Sequence, residues 1–141
     1  MRLAMLSDVF GDDVKMSDLY KAYKEDELTI EKKASNLLYD LMLPPNYKGY
    51  KYLREAIIML CEDVNADIGS FNKYIYPVIA KKYNTTPKNI ERNIRFAIDK
   101  ICSFNTSEDL KQKLGVSPEV LSKPTNVKFI AFCAEKLRLE R

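Results

Sequence analysis

Residues 76–101, YPVIAKKYNTTPKNIERNIRFAIDKI, constrain the fold more than any other stretch of this chain. In the second half Ile90, Ile94, Ala97, Ile98 and Ile101 recur at intervals of three and four, so a helix there carries one unbroken apolar stripe that must be buried. Pro87 suits the first turn of that helix, and Thr86 the capping position before it. Upstream, Asn84 is one of the few non-glycine residues that tolerates a left-handed backbone, and Ala80 is small enough to sit where two helices cross. The spacing predicts a helix, a tight turn and a second helix. Lys88, Glu91, Arg92 and Arg95 fall on the side opposite the stripe.

That outer face is either an ordinary solvated surface or a surface that reads DNA. An arginine fork can reach guanine O6 and N7 in a major groove, and a glutamate can accept from cytosine N4. Charge distribution favours DNA. Between residues 70 and 103 there are seven Lys or Arg (73, 81, 82, 88, 92, 95, 100) against Glu91 and Asp99, a local net of +5 in a chain of formal net charge +3. Positive charge is gathered where the helix pair lies, as an electrostatic footprint on DNA requires.

Enzymatic chemistry finds little support. The chain has no histidine, which removes Ser-His and Cys-His nucleophilic sites and argues against a conventional zinc site. Its four glycines form no phosphate-cradling loop. Three cysteines, Cys61, Cys102 and Cys133, are odd in number, widely spaced and set in apolar helical contexts, and read as reduced core residues of a cytoplasmic protein. No apolar run approaches the roughly 18 residues a membrane span needs, and a start containing Asp8, Asp12 and Asp13 is unlike a signal peptide. The expectation is no enzyme, no metal, no cofactor and no membrane partner.

With 141 residues, 46% of them hydrophobic, there is material for one well-buried core, so one domain with an appendage is expected. Residues 1–29 hold four Lys or Arg and seven Asp or Glu, a net of −3, and form an acidic appendage. Within it, residues 14–24 predict a helix capped by Ser17, with Leu19, Tyr20 and Tyr23 on one face. A second helix is expected from Thr29, with Ile30, Ala34, Leu37, Leu38 and Leu41 inward, ending at Pro44 and Pro45. Residues 50–64 repeat the pattern through Leu53, Ile57, Leu60, Cys61 and Val64, and residues 71–83 form the first helix of the pair, kinked or interrupted by Pro77. Thr106 or Ser107 caps a short helix stopped by Gly115, and Pro124 and Thr125 introduce a last helix with Val127, Ile130, Ala134 and Leu137 inward. Tyr50, Tyr52, Tyr74, Tyr76 and Tyr83 read as packing at the core's edge. No β-type alternation of useful length occurs, so the chain is read as all-α.

Three stretches, KGYKYLREAI (48–57), YPVIAKKYNTTPKNIERNIRFAI (76–98) and KPTNVKFIAFCAEKLRLE (123–140), resemble the C-terminal DNA-binding domain of the stage-zero sporulation master regulator, a response-regulator effector domain. With their spacing the resemblance covers residues 30–141. It implies a six-helix domain that binds double-stranded DNA at a TGTCGAA-like box, often as tandem copies, and regulates transcription; a homodimer or tandem binding on DNA is the expected arrangement. It further implies that Glu91, Arg92 and Arg95 read bases, and that Lys88 and Asn89 lie near the phosphate backbone. Lys81 and Lys82, at the end of the first helix of the pair, are assigned the same backbone role. The family's regulator also carries a phosphoryl-accepting receiver, and nothing here could fold as one. The chain is therefore expected to be a stand-alone relative whose first 29 residues replace that switch, the alternative being a fragment. Residues 105–115, NTSEDLKQKLG, depart from the family pattern where the family meets RNA polymerase sigma factor, which puts transfer of that partner in question. The alternative function is an adaptor or antagonist that pairs with a full-length regulator or with polymerase and binds DNA weakly.

Overall fold

The computed structural model describes residues 15–63, 68–115 and 125–140, and the described residues are helical, with no strand among them. The elements are α1 (Met16–Asp40), α2 (Lys48–Glu62), α3 (Tyr76–Lys82), α4 (Pro87–Phe104), α5 (Ser107–Leu114) and α6 (Asn126–Leu139). A short turn Ile68–Ser70 and a π-helical turn Phe71–Ile75 lead into α3. The all-α expectation holds, and six helices of seven or more residues lie among the described residues. Expectations placed on Val14, Val64 and Pro124 lie outside the described residues.

α2 is the centre of the fold, packing against α4, α6 and α1. Its Leu53, Ala56 and Ile57 are fully buried, and so are Ile90, Ile94, Ala97 and Ile101 of α4 and Phe129, Ile130, Cys133 and Ala134 of α6. The buried side of α6 is wider than the expected stripe, since Phe129 and Cys133 join it while Val127 is only partly buried. All three cysteines are free thiols; Cys61 and Cys133 are buried, and burial pushes both the Cys133 and the half-buried Cys102 thiol up from the usual range. Tyr50, Tyr52 and Tyr76 are buried and Tyr83 partly so, but Tyr74 is exposed. The stripe Phe71, Ile75, Ile79 leaves position 74 outside it.

Two corrections concern α1. The sequence predicts two helices parted near Thr29, whereas one 25-residue helix runs through that point. Neither glycine nor proline occurs from residue 12 to residue 43, and the acidic run at residues 25–27 is made of residues that a helix tolerates, so nothing stops it. Ser17 does not cap it: the N-cap is Lys15, with no side-chain cap bond. The helix ends before the prolines, at a left-handed Met42 (φ 67°), where Leu43 N–H bonds to Leu38 C=O at 3.1 Å and Met42 N–H to Tyr39 C=O at 2.9 Å.

The interruption near Pro77 is real and takes a definite form. Proline has no N–H to offer the carbonyl of Lys73, and the preceding turn widens so that Tyr76 N–H bonds to Phe71 C=O, five residues back. The remaining caps follow the sequence. Thr106 caps α5 in a reciprocal pair, its Oγ1 accepting from Asp109 N–H at 3.0 Å while Asp109 Oδ2 accepts from Thr106 N–H at 2.9 Å. Gly115 closes α5 at φ 72°, and Thr125 caps α6.

A contact that sequence periodicity does not reveal sets how closely α2 approaches α4. A Cβ on Gly49 would lie 2.2 Å from the Asn93 carbonyl oxygen and 3.0 Å from Ala97 Cβ. Helix propensity alone favours alanine there by about 1 kcal/mol. The backbone clash reverses the sign, because a carbonyl in a helix cannot rotate aside as a side-chain tip can. Gly49→Ala is expected to destabilise the fold by about 1 to 3 kcal/mol and to displace α4. Thermal or urea unfolding measures it, and a stabilised variant would disprove the close crossing.

Candidate nucleic-acid interface

Between α3 and α4 the chain turns in four residues, 83–86. Tyr83 closes α3, Asn84 adopts φ 53°, and Thr85 N–H bonds to Ala80 C=O at 2.9 Å while Asn84 N–H reaches Lys81 C=O at 3.4 Å. The two bonds, one reaching five residues back and the other, nested inside it, three, satisfy carbonyls of the last turn of α3 and reverse the chain. Thr86 Oγ1 then accepts from Asn89 N–H at 3.1 Å and starts α4, with Pro87 in its first turn. Ala80 is buried at the crossing. Each of these features was legible in the sequence.

α4 divides cleanly into faces. Ile90, Ile94, Ala97, Ile98 and Ile101 are buried, while Lys88, Arg92 and Arg95 are exposed and Glu91 is half-buried. Glu91 Oε1 accepts from Arg95 Nη2 at 2.7 Å, one turn along. An exposed pair of this kind is worth only about 0.3 to 0.5 kcal/mol, so it orients the guanidinium without committing it. Arg92 lies over the Phe96 ring, its guanidinium carbon 5.5 Å from the centroid. Asp99 sits two turns beyond Arg92 on the same exposed side, and its carboxylate marks where the cationic part of the face ends.

Of the backbone-contact candidates, Lys82 and Asn89 have internal duties. Lys82 Nζ meets Glu55 Oε1 of α2 at 2.6 Å, and that bond raises the lysine's pKa. Lys81 beside it is exposed. Both stand in the last turn of α3, where the helix dipole favours cations. Asn89 is taken up by the turn: its Nδ2 donates to Thr85 Oγ1 at 2.9 Å and its Oδ1 accepts from Asn93 Nδ2 at 3.0 Å. The Lys82–Glu55 tie spans 27 residues, and no local sequence signal announces it.

Two asparagines that sequence reasoning did not single out hold α4 in place. Asn126, the first residue of α6, donates from Nδ2 to the Glu91 carbonyl at 2.9 Å, and burial raises the pKa of the Tyr76 hydroxyl. At the far end, Asn105 donates from Nδ2 to Leu41 C=O and Ile101 C=O, both at 2.9 Å, and accepts from Lys113 Nζ at 2.6 Å. Arg138 of α6 reaches the Leu60 and Cys61 carbonyls at the end of α2, closing the frame behind α4. Beside Arg95 an open cleft of about 390 Å³ separates α4 from the start of α6. No buried side-chain polar atom among the described residues lacks a partner.

The result is a rigidly seated helix whose inner side is oil-like and whose first turns present a basic, hydrogen-bonding outer side. Residues 34–137 match a family model described as the sporulation initiation factor Spo0A C terminal. The matched span runs from Ala34, fully buried on α1, to Leu137, buried on α6, and so takes in the packed body of the fold.

Proposed function

This chain belongs to the family of sporulation initiation factor C-terminal domains, a DNA-binding effector domain, and from that premise we propose that it is a sequence-specific regulator of transcription that lays α4 in the major groove. The observation that carries the reading is the join of a fully apolar inner face to a cationic outer face on a helix entered through a tight turn. Arg92 and Arg95 take guanine edges, and Glu91 accepts from a cytosine amino group on the same box. Lys81 and Lys88 meet phosphates on either side of the turn, and Lys82 joins them by exchanging Glu55 for a phosphate. Asn89 serves by holding the turn that points Lys88 outward. The box is TGTCGAA-like, and the protein works in the cytoplasm.

The test is a gel-shift titration at fixed salt against a duplex carrying the box and against a scrambled duplex. Arg92→Ala and Arg95→Ala are each expected to lose about 1 to 3 kcal/mol on the box and almost nothing on the scrambled duplex. Equal weakening on both would make these arginines phosphate contacts only.

A further inference from the structure

Phe96 is the anomaly of the outer face. It is 44% exposed on a helix whose other outward residues near it are charged. At about 100° per residue it lies about 40° from Arg92, closer to the centre of that face than Arg95 at about 60° or Glu91 at about 100°. It also falls before Asp99, within the part of α4 that a polyanion can approach. The second exposed ring of the helix, Phe104, lies beyond Asp99, under Lys100 (4.8 Å from Nζ to centroid) and next to the buried Asn105 joint.

An exposed phenyl group in this position has a specific use in a groove. The major-groove edge of thymine differs from those of the other bases by its C5 methyl group, which offers no hydrogen bond and is recognised by apolar contact. Phe96 is the one apolar ring among the basic and acidic side chains of that face, and the Arg92 guanidinium stacked over it fixes the ring beside a base-reading fork. We propose that Phe96 is a further specificity-determining residue, reading the methyl group of a thymine next to the base that Arg92 reads. The inference rests on the reading of α4 as the DNA-reading helix and adds to it a base preference that none of Glu91, Arg92 or Arg95 supplies.

Deoxyuridine removes the thymine methyl and leaves every hydrogen-bonding edge intact, so it isolates this contact. The full chain and its Phe96→Ala variant are titrated at fixed salt against the box duplex, with each thymine of both strands replaced in turn by deoxyuridine. Burying one methyl corresponds to roughly a fourfold change in affinity. The native chain is expected to lose roughly three- to tenfold at one thymine, or at two adjacent ones. Phe96→Ala is expected to be weaker on the unmodified box, to lose nothing more at that thymine, and to keep its melting temperature and its affinity for scrambled DNA. Phe96→Leu, which retains an apolar contact, should keep part of the methyl preference.

A native chain that prefers the box yet shows no uracil penalty at any position overturns the thymine assignment alone. So does an equal penalty in native and Phe96→Ala proteins, because another group would then be reading the methyl. A Phe96→Ala variant with native affinity for the box likewise overturns it. A native chain with no preference for the box over scrambled DNA defeats the regulator reading itself, and the thymine inference falls with it.

Discussion

Ile94→Ala is expected to lower the stability of the protein by about 2 to 5 kcal/mol, one of the largest effects available from a single side chain in this fold. Ile94 is fully buried in the middle of the inner stripe of α4, with Ile90 and Ile98 one turn to either side and α2 and α3 packed against that helix. Truncation removes three carbons from a site walled by helices that cannot easily close on the gap, so a cavity cost adds to the lost transfer energy. Urea or thermal unfolding reads the change directly. The control is Arg92→Ala on the opposite face, expected to stay within about 0.5 kcal/mol of the native stability. Were Ile94→Ala to cost less than about 0.5 kcal/mol, the inner face would not be buried as described, and the pairing of α3 and α4 as a helix-turn-helix would fail.

The second large effect is electrostatic. Seven bases lie between residues 70 and 103, and two of them, Lys82 and Arg95, are paired internally with Glu55 and Glu91. Both pairs sit at the surface, where such contacts are worth at most about 1 kcal/mol, so DNA can displace either carboxylate, through a phosphate at Lys82 and a guanine edge at Arg95. With about five phosphates neutralised, log affinity should fall against log salt with a slope near −4.5, and raising salt from about 50 to about 200 mM should weaken binding roughly 500-fold. The slope comes from titrations at four or more salt concentrations on one duplex. A value shallower than about −2 would mean that few phosphates are met, and would favour a partner protein over DNA as the occupant of this face.

Much of this architecture was legible because it is written in short-range physics. A stripe at intervals of three and four says which side of α4 is buried whatever packs against it. A threonine before a helical run, an asparagine in a left-handed turn and a glycine at a helix end each act within a few residues, and Thr86, Thr106, Thr125, Asn84 and Gly115 all stand where the sequence places them. Where local reading failed, a weak local signal was overweighted. A break was expected between residues 24 and 29, yet helix propensity without a glycine or proline carries the helix across it. Ser17 could have capped a helix there, but the helix had already begun.

By itself, then, the sequence determined the helical class, the turn between α3 and α4, the buried and exposed faces of α4, and the concentration of positive charge around them. Tertiary structure decided how that face is held and which of its charges are engaged. Gly49 matters only because the Asn93 carbonyl arrives beside it from a helix about forty residues away, and Asn126 and Asn105 matter because they bond carbonyls 35 and 64 residues distant. Lys82 was one base among seven until Glu55, 27 residues earlier, came within 2.6 Å of it. Periodicity and capping depend on neighbours along the chain, where spacing is fixed by covalent geometry. Crossing distances and long-range pairs depend on which helices meet and at what angle, and that is settled only when the whole core packs.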